Sequence, residues 1–140
     1  MNKRTEDKIE EIEKYLEELS EITPSNLEEY KRDFKARAAC ERYAEKIIEA
    51  IVDLAFLVVK EKMLSAPEND LQAFDILSKN KLISDEISEK LKDAKGMRNI
   101  LAHEYSDVDD EIVFNSLKCE LEEDAINFIK MVRKSLKEMK

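Results

Sequence analysis

A single glycine, Gly96, and two prolines, Pro24 and Pro67, punctuate a chain of 140 residues. Sheet-rich folds need turns at short intervals, and those turns draw on glycine, Asn-Gly and Pro-Gly pairs that this chain barely contains. The fold is therefore expected to be all helical. Glycine scarcity also removes the dinucleotide-binding fingerprint and the phosphate-binding P-loop, each of which needs several glycines at fixed offsets. A chain of this length forms one domain around one core.

The apolar spacing divides the chain into helices. Ile9, Ile12, Leu16, Leu19 and Ile22 recur at three and four residues, with acids on the other face, until Pro24. Ser25 with Glu28 has the form of a capping box, and a second helix is expected from about Asn26 to Met63 with no breaker inside it. Such a helix would span roughly 57 Å, so a bend or a neighbouring chain is expected. Its stripe runs through Tyr30, Phe34, Ala38, Ala44, Ile48, Ile51, Ala55 and Val58, and from Ile51 to Val59 apolar residues face nearly every direction. That segment should be central. A short helix capped by Asn69 or Asp70 carries Leu71, Phe74 and Leu77, and another starts near Ser84. The last helix is expected from about Asp110 to Met139 through Val113, Leu117, Leu121, Ala125, Phe128, Val132 and Leu136. Four main helices and one short one make an antiparallel four-helix bundle the economical architecture.

The formal charge is −9, with 24 basic and 33 acidic residues, and it is unevenly placed. Residues 1–29 hold 4 basic and 10 acidic side chains, and residues 104–140 hold 6 and 10. The middle is close to neutral and includes the basic stretch Lys31, Arg32, Lys35, Arg37 and Arg42, which also suits a solvated helix face. Wholesale wrapping of nucleic acid is disfavoured by this balance, and no DNA is expected as a partner. The charged N-terminal stretch does not read as a signal peptide, and the longest nearly apolar run, Ala50 to Val59, is too short to cross a bilayer. A soluble cytoplasmic protein without membrane contact is expected. One histidine and two distant cysteines, Cys40 and Cys119, cannot form an ordinary zinc site, and the cysteines read as packing residues.

The segment from Gly96 to Tyr105 stands apart, because it holds both the only glycine and the only histidine. Histidine exchanges protons near neutral pH, and arginine presents a fork of donors suited to phosphate oxygens. Arg98 and His103 together could bind a phosphodiester, stabilise charge on it and move a proton without a metal. In an unbroken helix, however, residues five apart lie about 140° apart around the axis. Either the helix breaks near Ala102, or the site is completed from another chain. A twofold dimer would bring two arginines and two histidines to one cleft. Gly96 is open to a structural use, close packing or a bend before Arg98.

The string Arg98-Asn99-Ile100-Leu101-Ala102-His103-Glu104-Tyr105 resembles the Arg-x4-His-x-Tyr motif of the HEPN superfamily, and specifically its HepT toxin branch. The order around it is similar as well over residues 30 to 136, with FDILSKNKLIS before the motif and an Asp-rich turn and final helix after it. The resemblance implies a HEPN-like helical domain and a metal-independent, cofactor-free endoribonuclease that acts as the toxin of a two-gene toxin–antitoxin system. It implies a homodimer with the motifs lining its interface. Arg98 would contact the scissile phosphate, His103 would transfer protons, and Asn99 would orient His103 or bind RNA, with the RNA 2′-hydroxyl as nucleophile. The implied partner is a minimal nucleotidyltransferase (MNT) antitoxin that transfers AMP from ATP to Tyr105, where the added phosphate would repel RNA.

Net acidity is awkward for an RNA enzyme. A cleft lined by Arg98, Lys95, Lys92 and Arg37 or Arg42 from both chains would need to be locally positive. Each residue also has a plainer reading. His103 suits a helix end, Arg98 could pair with Glu104 or Asp93, and Tyr105 could close the bundle. A non-catalytic HEPN subunit that binds a nucleotide or a nucleotidyltransferase partner is the alternative. Such a subunit has no chemical need for the Arg98 and His103 pair.

Overall fold

The computed structural model describes residues 1–103 and 109–137, with the backbone alone of Ala102 and His103. Four long helices, α1 (Lys3–Ile22), α3 (Phe34–Glu61), α5 (Asp85–His103) and α7 (Leu121–Lys137), form the bundle. Three short ones, α2 (Leu27–Arg32), α4 (Asp70–Lys79) and α6 (Asp110–Asn115), join them, and a π turn over Ser116–Glu120 links α6 to α7. No strand occurs among the described residues.

α3 is the centre of the molecule because its sequence leaves it only a narrow polar strip, Glu49, Asp53 and Lys60, over its second half. Ala50, Ile51 and Val52 are consecutive and all buried, as are Leu54, Ala55, Val58 and Val59. Every other long helix packs on it, and α4 does too. α1 lays Ile9, Ile12, Leu16 and Leu19 against it, and its antiparallel direction is pinned at one end. There Glu61 Oε1 accepts from the Thr5 hydroxyl at 2.9 Å and from the Asn2 backbone N–H at 3.0 Å. Phe128 of α7 meets Phe74 of α4 edge to face, with ring centroids 6.2 Å apart, and both rings are fully buried.

Three expectations are corrected. The long second helix breaks at Asp33, whose extended backbone carries a carboxylate that accepts from the N–H groups of Lys35 and Ala36 and so starts α3. The preceding cap is Asn26 rather than Ser25, with Oδ1 accepting from Glu29 N–H at 2.9 Å. As a result Phe34 is 67% exposed instead of lying on the buried stripe. The last helix is interrupted by its π turn. Val113, Leu117, Leu121 and Ala125 follow one another at intervals of four, and a regular helix would carry such a row about 120° off its starting face. The wider turn keeps all four buried. It also leaves Cys119 exposed, while Cys40 is buried as expected, its thiol pushed up by burial.

Glycine scarcity shows most clearly at two helix ends. α3 and α4 both close with the pair of hydrogen bonds typical of a left-handed cap, Leu64 N–H to Val59 O and Met63 N–H to Lys60 O in one, Leu82 N–H to Leu77 O and Lys81 N–H to Ser78 O in the other. The left-handed residues are Met63 (φ 58°) and Lys81 (φ 61°), positions that glycine ordinarily fills. The one glycine sits instead inside α5, where an added Cβ would meet nothing within 4 Å. Close packing among the described residues therefore does not account for Gly96.

Met63→Gly and Lys81→Gly are each expected to stabilise the chain by about 0.5–1 kcal/mol, since each removes left-handed strain at an exposed side chain. Phe128→Ala should cost about 3–5 kcal/mol through the cavity it leaves. Urea denaturation of the three variants against the parent checks both signs.

Candidate active site

α5 brings three of the motif residues together through a run of cation and amide contacts. Lys95 and Asn99 are one turn apart, and Lys95 Nζ donates to Asn99 Oδ1 at 3.2 Å. Arg98 Nη1 approaches the same oxygen at 3.5 Å. Both neighbours are donors only, so the Asn99 carbonyl must face them and its Nδ2 hydrogens are left to point elsewhere. His103 falls one further turn along the same stripe as Lys95 and Asn99, and its backbone closes α5; its side chain, and the whole of Tyr105, lie outside the described residues.

Arg98 reaches sideways to α3. Its Nη2 donates to Glu49 Oε1 at 2.6 Å, a charge-assisted bond between residues 49 positions apart. The stem of the side chain is sunk between the helices, and among the described residues its buried Nε–H finds no acceptor. Asp93 is not the partner of Arg98, because five residues along a helix place the two side chains on different faces. The helix is continuous through His103, so of the two alternatives the break near Ala102 does not occur. On that helix, positions 98 and 103 lie about 140° apart around the axis.

The electrostatics differ from a locally positive cleft. Lys95 pairs with Asp70 of α4 at 3.2 Å, and Lys92 pairs with Asp75 and with Glu89. The hydrogen bond to Asp75 holds the Lys92 ammonium above its usual range. Arg42 pairs with Glu45 at 3.2 Å, and Arg37 with Asp110 at 3.8 Å. Each cation proposed to face RNA therefore has a carboxylate beside it. Glu41, one turn from both Arg37 and Glu45, is pushed up chiefly by burial and then by Asp110. Among the described residues no group of three or more His, Cys, Asp or Glu is set to hold a metal ion, and no helix is long and apolar enough to cross a membrane.

An apolar groove of about 880 Å³ runs beside this row, between α5 and the α6–π turn–α7 segment. Met97, Ile100, Ile112 and Val113 line it, and Gly96 opens onto it. Ile100 is 42% exposed and Ile112 64%. Two acidic residues, Glu49 and Asp70, belong to the site although nothing local marked them. Their parts depend on α3 and α4 packing against α5, which the spacing of acids along a helix does not encode.

Comparison with known proteins identifies the family of the chain. The family described as Ribonuclease HepT-like matches residues 12–132. The chain is 26% identical over 118 residues to the tRNA nuclease HepT of Aphanizomenon flos-aquae, covering 84% of this chain and 80% of that protein. It is 29% identical over 105 residues to the mRNA nuclease HepT of Shewanella oneidensis, covering 75% and 78%. A solved structure of the tri-AMPylated Shewanella oneidensis HEPN toxin in complex with MNT antitoxin superposes with a TM-score of 0.88 at 26% identity, over 96% of this chain and 99% of that one. The family match takes in α1 from residue 12 onward. The chain belongs to the HepT-like ribonuclease family.

Proposed function

We propose that the chain is the ribonuclease toxin of a two-gene toxin–antitoxin pair, acting as a homodimer, cutting RNA without a metal ion and silenced by AMP transfer to Tyr105. The observation that carries this reading is the intact Arg98 and His103 pair on an unbroken α5, in a chain whose relatives are named tRNA and mRNA nucleases. Positions five apart on one helix lie on different faces. Two copies related by a twofold axis would bring the faces of both to one cleft and supply two histidines. The exposed Ile100 and Ile112 and the groove beside them give such a contact its apolar surface.

In the reaction, one histidine takes the proton of the RNA 2′-hydroxyl as its oxygen attacks the adjacent phosphorus. The bond from phosphorus to the 5′-oxygen breaks, and that oxygen takes a proton from the second histidine. The products are a 2′,3′-cyclic phosphate and a free 5′-hydroxyl. Arg98 offers its Nη edge to the phosphate, whose charge grows in the transition state. Asn99, with its carbonyl held by two cations, presents Nδ2–H donors to an RNA oxygen or to an unprotonated histidine nitrogen. Lys95 fixes that amide and adds positive charge alongside it.

Silencing acts at Tyr105, two residues beyond His103 in the sequence. The Tyr105 phenol oxygen attacks the α-phosphorus of ATP on the MNT antitoxin, pyrophosphate leaves and the phenol proton is lost. The AMP carries a phosphate negative charge to a position two residues from His103, where it repels RNA. The solved Shewanella oneidensis toxin–antitoxin complex, which is tri-AMPylated, supports this half of the reading. The second reading, a non-catalytic subunit binding a nucleotide or a nucleotidyltransferase, draws on the carboxylate beside every cation of the site.

Purified protein incubated with RNA in EDTA separates the two. The parent should cleave and leave cyclic phosphate ends, and Arg98→Ala and His103→Ala should each lose at least about 100-fold. Cleavage that persists in both variants, or that EDTA abolishes, would sink the mechanism. Co-expression with a minimal nucleotidyltransferase encoded beside this chain should add one or more AMP units to it, on a peptide containing Tyr105, and Tyr105→Phe should prevent it; a locus without such a gene would count against the two-gene reading. An unmodified chain that is nonetheless silenced would overturn the regulatory half.

A further inference from the structure

We infer that Glu49 is the positioning residue for Arg98, a guanidinium clamp supplied by α3. The kinetic part of this inference rests on the ribonuclease reading above; the geometric part does not. An arginine side chain is long, and on a solvated helix it samples many rotamers, so a catalytic arginine needs a second point of attachment. Here there are two. Glu49 draws Nη2 toward α3 at 2.6 Å, and the Asn99 carbonyl takes the Nη1 side at 3.5 Å. The sunk Nε excludes approach from the stem, so the terminal Nη edge is the only part of the guanidinium that a phosphate can meet. Its direction is set by Glu49.

A carboxylate beside a phosphate-binding arginine could equally act as a brake, by occupying the charge that RNA needs. The bonding count argues for the clamp. Glu49 accepts from a single one of the five guanidinium N–H groups, and it does so through one oxygen rather than as a bidentate fork. With one Nη1 hydrogen turned to Asn99 and one Nη2 hydrogen to Glu49, the second hydrogen of each stays available, so a phosphate can add without displacing the carboxylate. Among the described residues, Asp70 and Asp75 are engaged with Lys95 and Lys92, so neither replaces Glu49 if it is removed. The clamp also joins two helices whose packing places the motif, and it therefore fixes Arg98 relative to α3 as well as to its own backbone.

The two roles predict opposite behaviour in two variants. Glu49→Ala removes the acceptor and the charge; Glu49→Gln keeps an amide oxygen in the same place and removes only the charge. For a clamp, Glu49→Ala lowers kcat by about 10- to 100-fold with KM unchanged or lower, and Glu49→Gln restores most of kcat. For a brake, both variants raise kcat/KM together. The second measurement needs no RNA. In a ¹⁵N-labelled parent the Arg98 guanidinium should give resolved Nη–H signals, assigned by their loss in Arg98→Ala, because a clamped group rotates slowly about its Cζ–N bonds. Glu49→Ala should average them, and Glu49→Gln should keep them. Thermal melts within a few degrees of the parent confirm that the variants fold, as expected for a half-exposed pair. Averaged Arg98 signals in the parent, a parental kcat in Glu49→Ala, or a joint rise in both variants each overturns the clamp. A parent that cuts no RNA while its Arg98 signals are resolved sinks the ribonuclease reading and leaves the clamp standing on the signals.

Discussion

The burial of most of the circumference of α3 over its second half is the constraint on which the rest of the molecule depends. A helix with three consecutive buried residues, Ala50, Ile51 and Val52, cannot rest at a surface, so other elements must enclose it. α1, α5 and α7 do so along its length and α4 does so at its side. The motif helix has its place because α3 needs a neighbour there. Glu49 is one of the few polar residues on this part of α3, and it points out of the enclosure toward the helix that carries Arg98. The core and the site thus meet at one carboxylate.

Much of this was readable from spacing alone. The α1 stripe, the Asn69 cap, the Ser84 start of α5 and the centrality of Ile51 to Val59 all follow from local chemistry with a regular period. The motif residues stood out because glycine and histidine are so rare in the chain. What escaped had two physical causes. At Asp33 a helix ends and another begins with neither glycine nor proline, and an aspartate within a helical pattern looks the same whether it is solvated or capping. Glu49 and Asp70 are legible only after helices have packed, since their partners lie far away in sequence. The π turn sits between these cases. Its trace, a row of four-residue intervals, was on view but suits an ordinary helix if each interval is taken separately.

Net charge proved a poor guide to the field at the site. The middle of the chain is nearly neutral by count, yet the cations around the motif are individually paired, across helices for Arg98, Lys95, Lys92 and Arg37 and along one helix for Arg42. Pairing of this kind fixes geometry more than it adds stability, because half-exposed ion pairs are worth about 0–1 kcal/mol. It trades long-range attraction for a preset arrangement of donors. An acidic nuclease built in this way would depend on short-range fit, and on a second copy of itself, to hold a polyanion.

The π turn has a consequence for how chains of this kind can vary in length. A helix that takes in one surplus residue as a wider turn keeps the segments before and after it facing the same way. Val113 and Phe114 on one side, and Leu121 to Leu136 on the other, are therefore indifferent to whether the residue between them is present. Ser116–Glu120 is a joint at which the chain can gain or lose a position without rotating α7 away from the core. In a protein with almost no glycine and few loops, it is a rare place where length is not locked to packing.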